Sequence, residues 1–440
     1  MRIERLTGED ARRLGGPAGA AAHLRGRVAG AASVEQPVRE IVAAVRARGE
    51  QAVLDYTQRL DTAGAPPRPL AVAQTELDEA IAGLDLDVVA GLQVTIANVA
   101  EVAQAGIAAD SVTVTLPQGH TVTLREVPVA AAAVYAPGGR APYPSTVAMG
   151  VVTARAAGVL DVAVCAPPGR DGQIDRTILG VCRLLGVERV YRMGGAQAIA
   201  ALALGTDSVA RVDVIVGPGN LYVQEAKRQL CGEVGIDGFA GPSDLLVVLG
   251  ADAEPRPIAL DLMAQAEHGA GSFVAAACPS PETLDRLAEE IERLSGDLTG
   301  SESSDAVEPA ACVLIETDDA RAALALANAF APEHLQLVGA EPEALAGLVR
   351  SAGCVLVGAD AATAFGDYVA GSNHILPTGG AARFASGLSA RHFRRRMSEV
   401  RIGPAAAAKL ARAGAPIARA EGFEWHAKSM EARVRENPQP

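Results

Sequence analysis

The chain has 440 residues, of which 49% are hydrophobic and 21% are charged. That balance is typical of a soluble globular protein with a well-filled interior, and the length exceeds what one compact core needs, so two or more lobes are expected. The formal net charge of −13 argues against nucleic acid or an anionic membrane as a main partner, because the field of an acidic protein repels both.

The N-terminal residues 1–16 mix both charge signs and have no apolar core, so no secretory signal is predicted. No apolar stretch reaches the roughly 20 residues that cross a bilayer, which predicts a cytoplasmic protein without a membrane partner. The six cysteines form no Cys-x-x-Cys pair, and most lie in apolar segments. They are expected to be reduced core residues.

The first part of the chain, residues 1–128, is mainly helical in pattern. Residues 37–61, for example, repeat apolar positions at three- and four-residue spacing. Residues 111–127 instead alternate with period two around the turn at 117–119, which predicts a hairpin. His120 lies at that turn and is expected at the surface.

From residue 129 onward, short apolar runs alternate with amphipathic helices. This alternation predicts an α/β protein with parallel sheets and helices on both faces, and the number of units favours two αβα lobes over one sheet. The last fifty or so residues lose strand character and are predicted to be a small helical appendage. The short runs are VAAAAVYAPGG (129–139), DVAVCAPPG (161–169), RVYRMGG (189–195), VDVIVGPGN (212–220), DLLVVLG (244–250), SFVAAAC (272–278) and ACVLIET (311–317).

Strand-to-helix loops are the place to look for a ligand, because open α/β sheets bind ligands at the carboxyl ends of their strands. Three such loops, 135–146, 193–198 and 216–222, are glycine-rich. Each brings free backbone N–H groups to the start of a helix, which suits a phosphate-bearing ligand. None is the G-x-G-x-x-G fingerprint, so simple tight turns are the alternative.

Four of the seven histidines lie at element ends beside Glu, Gln or Asp. Glu333 and His334 are adjacent where an apolar helix gives way to a strand, which is either a proton-handling pair or an exposed turn. Three further pairs allow a metal or substrate site, with a solvated helix face or loop as the alternative. These pairs are Gln265 with His268, Asp367 with His374, and Glu421 with His426.

Nine sequence stretches, in order from about residue 134 to 434, match the motifs of one enzyme family. They are VYAPGGRAPYPSTVAM, GGAQAIAALALGT, VGPGNLYVQEAKRQL, GIDGFAGPSDLLVV, DLMAQAEHG, FAPEHLQL, GDYVAGSNHILPTGG, FASGLSARHF and EGFEWHAKSMEAR. Together they resemble the histidinol dehydrogenase family. The implied fold has two αβα Rossmann-like lobes. Its implied segments are 1–28 (N-terminal, helical), 29–142 with 244–383 (first lobe), 143–243 (second lobe) and 384–440 (C-terminal helical dimerisation segment).

The resemblance implies an enzyme that oxidises L-histidinol through L-histidinal to L-histidine with two NAD, the last steps of histidine biosynthesis. It also implies a zinc-dependent homodimer with one Zn²⁺ per subunit. The implied zinc ligands are Gln265, His268, Asp367 and His426 of the partner subunit. The implied substrate contacts are these four residues with Ser243, His334, His374 and Glu421. The implied NAD contacts are Tyr135, Gln197 and Asn220, and the implied catalytic pair is Glu333 and His334.

The chemistry is consistent with these roles. An imidazole with a pKa near neutrality is suited to take the hydroxyl proton as hydride leaves, so His334 is the expected base. Water must then add to the aldehyde, for which Glu333 is the expected second base. A substrate with an imidazole and an amine can itself ligate zinc, so the metal would orient first and act as a Lewis acid second.

Two positions depart from the family pattern: Gly269 stands where aspartate is common, and Asp244 where glutamate is common. One rival function is a zinc- and NAD-dependent dehydrogenase of another small alcohol, such as a sulfonated diol. His374 and Glu421 suit a cationic substrate better. A non-catalytic two-lobed binding protein is the rival of another class, and it would not need Glu333 beside His334.

Overall fold

A computed structural model describes residues 2–28, 34–107, 109–138, 141–239, 241–268, 271–298 and 311–434. The chain divides into two compact units. The first unit contains Met1–Gly106 and Ala130–Phe393, and the second contains Ile107–Val129 and Arg394–Pro440.

The described elements alternate between strand and helix through the middle of the chain. The strands are β1 (Arg2–Leu6), β2 (Ser111–Thr115), β3 (Thr121–Pro128), β4 (Ala131–Tyr135), β5 (Asp161–Ala166), β6 (Arg189–Arg192), β7 (Val214–Val216), β8 (Gly235–Ile236), β9 (Asp244–Leu249), β10 (Phe273–Cys278), β11 (Ala311–Glu316), β12 (His334–Val338), β13 (Cys354–Val357) and β14 (Arg394–Arg401). The helices are α1 (Gly8–Arg13), α2 (Gly16–Arg25), α3 (Glu35–Arg48), α4 (Glu50–Leu60), α5 (Gln74–Ala82), α6 (Leu86–Ala105), α7 (Pro144–Ala156), α8 (Arg176–Leu184), α9 (Gly195–Leu204), α10 (Leu221–Leu230), α11 (Pro255–Ala266), α12 (Pro281–Leu298), α13 (Ala320–Phe330), α14 (Ala340–Ala344), α15 (Thr363–Tyr368), α16 (Pro404–Ala420) and α17 (Glu424–Glu431).

The first unit contains a six-stranded parallel sheet in the order β1-β11-β10-β9-β12-β13. The central strands β9 and β10 are buried on both faces because helices cover both. Along β9, Leu246 and Val248 pack with residues of α2 and α13, while Leu245 and Val247 pack with residues of α11 and α12. Alternate side chains of one strand therefore belong to two different cores.

The first unit also contains a five-stranded parallel sheet in the order β6-β5-β4-β7-β8. Ala133 of β4 lies in one apolar cluster with Val38 of α3 and Ile199 of α9. The two sheets with their helices confirm the predicted α/β class with two parallel-sheet lobes. The change of sheet occurs before β4, so the predicted boundary at residue 142 does not coincide with it.

The second unit contains an antiparallel sheet in the order β14-β3-β2, followed by α16 and α17. The predicted hairpin is confirmed, since Thr115 pairs with Thr121 across its turn. His120, expected at the surface, is only 8% exposed. That expectation was wrong, and the ring nitrogen Nδ1 is itself buried.

Two segments that were predicted to be helical contain strands. Arg2–Leu6 forms β1 and pairs in parallel with β11, and Arg394–Arg401 forms β14 and pairs antiparallel with β3. Both strands lie at the edge of a sheet and carry several arginines. Their alternation was therefore hidden by charged residues, which are common on edge strands.

Helix α6 is the one described helix that is long and apolar enough to cross a membrane by length and composition, which corrects the expectation that no stretch would reach that length. In the structure it packs on α7, where Val99 contacts Met149 and Val152. Leu86 and Val102 of the same helix are exposed. A helix that packs on a protein core can pass the same length and composition test.

Two glycines in helices test how tightly α7 packs against the five-stranded sheet. A Cβ at Gly150 would lie 2.7 Å from Val134 Cγ1, whereas a Cβ at Gly91 of α6 would meet no atom within 4 Å. We expect Gly91→Ala to raise the free energy of unfolding by about 0.5–1 kcal/mol through helix propensity. Gly150→Ala should lower it by about 1–3 kcal/mol through overpacking. Chemical denaturation followed by circular dichroism measures both, and equal effects would contradict this packing.

Candidate active site

A cavity of about 1190 Å³ lies between the two parallel sheets of the first unit. On the five-stranded side it is lined by Tyr135, at the end of β4, and by residues 217–220 after β7. On the six-stranded side it is lined by Ser243, just before β9, and by Glu333 and His334 at the start of β12. The carboxyl edge of one sheet therefore meets the amino edge of the other.

The strand-to-helix loops that the sequence pointed to thus line the five-stranded side, and the helix-to-strand position of Glu333 and His334 lines the other. In the six-stranded sheet, the helix after each strand returns the chain to the amino edge. Gln265 lies in the last turn of α11, and Glu333 follows the end of α13 by three residues. Ala331, which directly follows α13 and precedes Glu333, takes a left-handed conformation with φ 53°, which turns the chain sharply from helix to strand.

Glu333 is a buried carboxyl group held at one oxygen. Its side-chain Oε2 accepts a hydrogen bond from the Ser243 hydroxyl and another from the backbone N–H of Asp244, at 3.1 Å. Burial raises the pKa of Glu333 to about 7, against the opposing effects of His334 and Ser243. A carboxyl group with a pKa near neutrality can both take and return a proton at working pH.

His334 lies between two carboxylates. Its Nε2 is 3.4 Å from Asp367 Oδ1, and its Nδ1 is 3.9 Å from Glu333 Oε2. Burial favours the neutral ring, but Glu333 and Asp367 outweigh that effect and raise the pKa of His334. Among the described residues Nδ1 has no hydrogen-bond partner although it is buried. A buried nitrogen of this kind is suited to a bound ligand.

His374 is held at both ring nitrogens. Nδ1 lies 2.9 Å from the Asp367 carbonyl oxygen and Nε2 lies 2.8 Å from Thr146 Oγ1. A carbonyl only accepts, so Nδ1 donates to it. Burial lowers the pKa of His374, and in the neutral ring Nε2 accepts from the Thr146 hydroxyl. The substrate contact predicted at His374 would therefore use a face of the ring, not a free nitrogen.

The predicted metal ligands Gln265 and His268 are oriented by hydrogen bonds. Gln265 Nε2 donates to Ser243 Oγ, and the buried Oε1 has no partner among the described residues. His268 Nδ1 lies 3.2 Å from the Gln265 carbonyl oxygen, so Nδ1–H donates there and Nε2 keeps its lone pair. His268 and Asp367 both line the cavity.

Among the described residues of the first unit, His, Cys, Asp and Glu side chains alone do not form a complete ligand set for a metal ion. In the part of the chain that the structure describes, no group of three or more His, Cys, Asp or Glu residues could hold a metal ion. The predicted set draws only His268 and Asp367 of these types from the first unit. Its third member there, Gln265, offers an amide oxygen.

The predicted cofactor contacts lie at the carboxyl edge of the five-stranded sheet. Tyr135 and Asn220 line the cavity. Asn220 also caps α10, because its side-chain oxygen accepts from the N–H groups of Tyr222 and Val223. Gln197 is fully buried and is not among the residues described as lining the cavity. These contacts stay predictions.

Several N–H groups of the glycine loops bind acceptors of the protein itself, in contrast to the expectation that they are free. Gly195 N–H donates to the Tyr135 hydroxyl at 3.2 Å, and Gly217 N–H donates to Asp237 at 2.6 Å. The loops at 193–198 and 216–222 are thereby stabilised internally. In the remaining loop, 135–146, residues 139 and 140 lie outside the described residues.

Asp61, which sequence reasoning did not single out, lies behind the predicted cofactor contacts. Its carboxylate accepts from Gln197 Nε2 at 3.2 Å and from the backbone N–H of Gly194. Burial raises the pKa of Asp61 to about 6, although both hydrogen bonds oppose the shift. No local signal marks it, because it follows an ordinary amphipathic helix.

Lys227 was also missed, although the sequence carries a signal for it. Its ammonium donates to the Gly217 carbonyl at 2.5 Å and to Asp237 Oδ1 at 2.7 Å, and its side chain is only 1% exposed. Positions 223, 226, 227 and 230 form the buried stripe of α10. A lysine on an apolar helix stripe indicates a buried ion pair.

Glu421 and His426 belong to the second unit. Glu421 follows α16 and His426 lies in α17, and both are exposed. The His426 ring is 5.1 Å from the ring of Phe423. Arg419 holds the two helices together through ion pairs with Glu424 and Glu431.

Comparison with known proteins assigns the chain to a family. The family model for histidinol dehydrogenase matches residues 25–434. The chain is 40% identical to a histidinol dehydrogenase of Gluconobacter oxydans over 92% of this chain and 94% of that protein, and 40% identical to one of Pseudomonas aeruginosa over 91% of each. A crystal structure of histidinol dehydrogenase from Elizabethkingia anophelis superposes with a TM-score of 0.88 at 29% identity, covering 99% of this chain and 98% of that one.

The chain belongs to the histidinol dehydrogenase family. This membership confirms the prediction of an NAD-dependent dehydrogenase and implies a nicotinamide cofactor. Of the two departures from the family pattern, Gly269 lies outside the described residues. Asp244 is fully buried, and its carboxylate forms an ion pair with Arg25 at 2.7 Å.

Asp61 generates a prediction about stability and pH. Its pKa in the folded protein is about 6, against an ordinary value of 3.8. Because the pKa is raised in the folded protein, the contribution of the Asp61 carboxyl to the free energy of unfolding is highest below pH 3.8. That contribution is lost as the pH rises through 6. Asp61→Asn removes this titration. The free energy of unfolding of the variant, minus that of the wild type, should therefore increase by roughly 2 kcal/mol between pH 4 and pH 7.

The measurement is chemical denaturation of both proteins at several pH values. The exposed Asp207 provides the control variant Asp207→Asn, which should follow the wild-type curve. A constant difference between Asp61→Asn and wild type from pH 4 to 7 would show that the Asp61 carboxyl does not titrate as described.

Proposed function

We propose that the protein oxidises L-histidinol through L-histidinal to L-histidine, using two NAD, as in the last two steps of histidine biosynthesis. The observation that carries this proposal is the presence of two buried proton acceptors, Glu333 and His334, in one cavity with His268 and Asp367. A four-electron oxidation of an alcohol needs one base for the alcohol and one for the water that adds to the aldehyde.

In the first oxidation, His334 takes the hydroxyl proton of the alcohol as hydride leaves the carbinol carbon. Asp367, at 3.4 Å, and Glu333, at 3.9 Å, stabilise the imidazolium that forms. NAD, when bound beside Tyr135 and Asn220, supplies the hydride acceptor.

In the second oxidation, Glu333 takes a proton from the water that adds to the aldehyde carbon. Its Oε2 is occupied by Ser243 and Asp244, so Oε1 is the oxygen that reaches the reacting water. The pKa of Glu333, raised by burial to about 7, keeps the carboxylate basic enough for this transfer. The aldehyde stays in the cavity between the two steps.

The residues of the first unit fit a zinc ion. Gln265 Oε1 is a buried acceptor without a partner among the described residues, and His268 keeps its Nε2 lone pair because Nδ1–H is bonded to a carbonyl. Asp367 adds a carboxylate, and His426 of the partner subunit would complete the set. One Zn²⁺ per subunit would orient the substrate imidazole and amine and polarise its oxygen.

A homodimer follows from this ligand set, and exposed apolar residues support it. Phe423 and Trp425, beside His426, are 54% and 80% exposed. Leu86 and Val102 of α6 are also exposed apolar residues. The substrate contacts remain Ser243, His334, His374 and Glu421 with the zinc ligands. The proposed location is the cytoplasm.

The two-base mechanism predicts the stoichiometry of the reaction. With L-histidinol and NAD, absorbance at the NADH band should show two NADH formed per alcohol consumed. His334→Asn should lower the rate by about 10²–10⁴-fold, while the zinc content stays that of wild type. One NADH per alcohol would indicate a simple alcohol dehydrogenase, and turnover of a sulfonated diol in preference to histidinol would favour the rival function.

The proposed zinc site predicts dependence on a metal. Dialysis against a chelator should abolish NADH formation, and added Zn²⁺ should restore it. His268→Asn should bind zinc at least tenfold more weakly, as measured by metal analysis after gel filtration, while a sample dialysed against buffer alone keeps its metal. Full activity in a sample verified to be free of metal would exclude the zinc role.

A further inference from the structure

Arg25, the last residue of α2, contacts the turn that leads into the catalytic pair. Its guanidinium donates to the Phe330 carbonyl at 2.5 Å and to the Ala331 carbonyl at 3.4 Å. Its Cζ also lies 3.6 Å from the centroid of the Phe330 ring. Arg25 therefore binds the end of α13 through two carbonyl groups and an aromatic face, two and three residues before Glu333.

The same guanidinium also binds Asp244, which in turn holds Glu333. Arg25 Nη1 lies 2.7 Å from Asp244 Oδ2, and the Asp244 side chain is fully buried. The other Asp244 oxygen accepts the Glu333 backbone N–H at 2.7 Å, and the Asp244 N–H donates to the Glu333 carboxylate at 3.1 Å. Asp244 and Glu333 thus form two reciprocal hydrogen bonds, and Arg25 binds the Asp244 carboxylate at its other oxygen.

We propose that Arg25 is a positioning residue for the second oxidation, which aligns the Glu333 carboxylate through Asp244 and through the last turn of α13. The inference rests on the proposed function. Arg25 lies more than 300 positions before Glu333 and is not among the described residues that line the cavity. Even so, it would influence whether the aldehyde is oxidised to the acid.

The effect should be selective for the second step because the two bases are held differently. His334 is already part of β12, where it pairs with Leu245 and Cys354. Glu333 precedes the strand, and its carboxylate depends on donors from Ser243 and Asp244. Loss of the Arg25 anchor therefore displaces Glu333 more than His334.

The two steps balance as follows. In the first, the alcohol loses a hydride to NAD⁺ and a proton to His334, and yields the aldehyde and NADH. In the second, water adds to the aldehyde carbon and loses a proton to Glu333. The hydrate then transfers a hydride to a second NAD⁺, and the acid formed releases its remaining proton. A displaced Glu333 slows only the water-dependent step.

The test is Arg25→Met, which keeps an unbranched, flexible side chain and removes the charge and the donors. Single turnovers of L-histidinol and of L-histidinal, each with NAD and with enzyme in excess, are followed on the same sample, so that hydride transfer from the alcohol is observed before the bound aldehyde is consumed. The ratio of the two rates does not depend on how much of the sample is folded. We expect aldehyde oxidation to fall about 10- to 100-fold and alcohol oxidation to fall less than about threefold. With an aldehyde trap present, NADH per histidinol should fall from two towards one.

Two variants serve as controls. Arg27→Met removes a cation of the same segment whose partner is the surface residue Glu4, and it should keep the wild-type ratio. Arg25→Lys keeps the charge opposite Asp244 but not the forked donor geometry, so its ratio should lie between those of wild type and Arg25→Met. KM for histidinol should change little in each.

An Arg25→Met enzyme whose two rates fall equally, or whose ratio equals that of wild type, would overturn the positioning role. That result differs from a failure of the proposed function, which would show as a wild-type enzyme that does not form two NADH per histidinol.

Discussion

The parallel pairing of β9 with β12 is the constraint from which the rest of the site follows. His334 lies opposite Leu245 in that register, so the residues just before the two strands become neighbours. Ser243 and Asp244 then reach the Glu333 carboxylate, and Asp244 receives the Glu333 N–H. A shift of one residue would turn every side chain to the opposite face and separate these groups.

Burial makes this pairing chemically useful. The low dielectric around Glu333 raises its pKa towards neutrality, while the adjacent His334 is kept basic by Glu333 and Asp367. Two neighbouring residues thus become a carboxyl group with a pKa of about 7 and an imidazole with a raised pKa. Helix α13 before them ends at a left-handed residue, Ala331. Glu333 and His334 therefore lie at the start of β12, where both line the cavity.

The cavity is lined by the carboxyl edge of the five-stranded sheet and by the amino edge of the six-stranded sheet. The five-stranded sheet contributes loops after its strands, as open α/β sheets usually do. The six-stranded sheet contributes helix-to-strand connections at its amino edge. On the cofactor side, glycine-loop amides bind Tyr135 and Asp237 of the protein itself. If the cofactor binds at the predicted contacts, we expect it to meet a preformed, internally bonded wall more than free N–H groups.

The sequence by itself determined the class of fold, and it singled out the Glu333–His334 pair as the predicted catalytic residues. Seven apolar runs became strands of the two parallel sheets, and the Glu333–His334 pair lines the cavity. Only the tertiary structure decided that Arg2–Leu6 and Arg394–Arg401 are strands, because an edge strand is defined by a partner that lies far along the chain. Apolar periodicity is a local property, whereas a polar group is held in the interior by partners from distant segments, as Arg25 and Asp244 are beside Glu333.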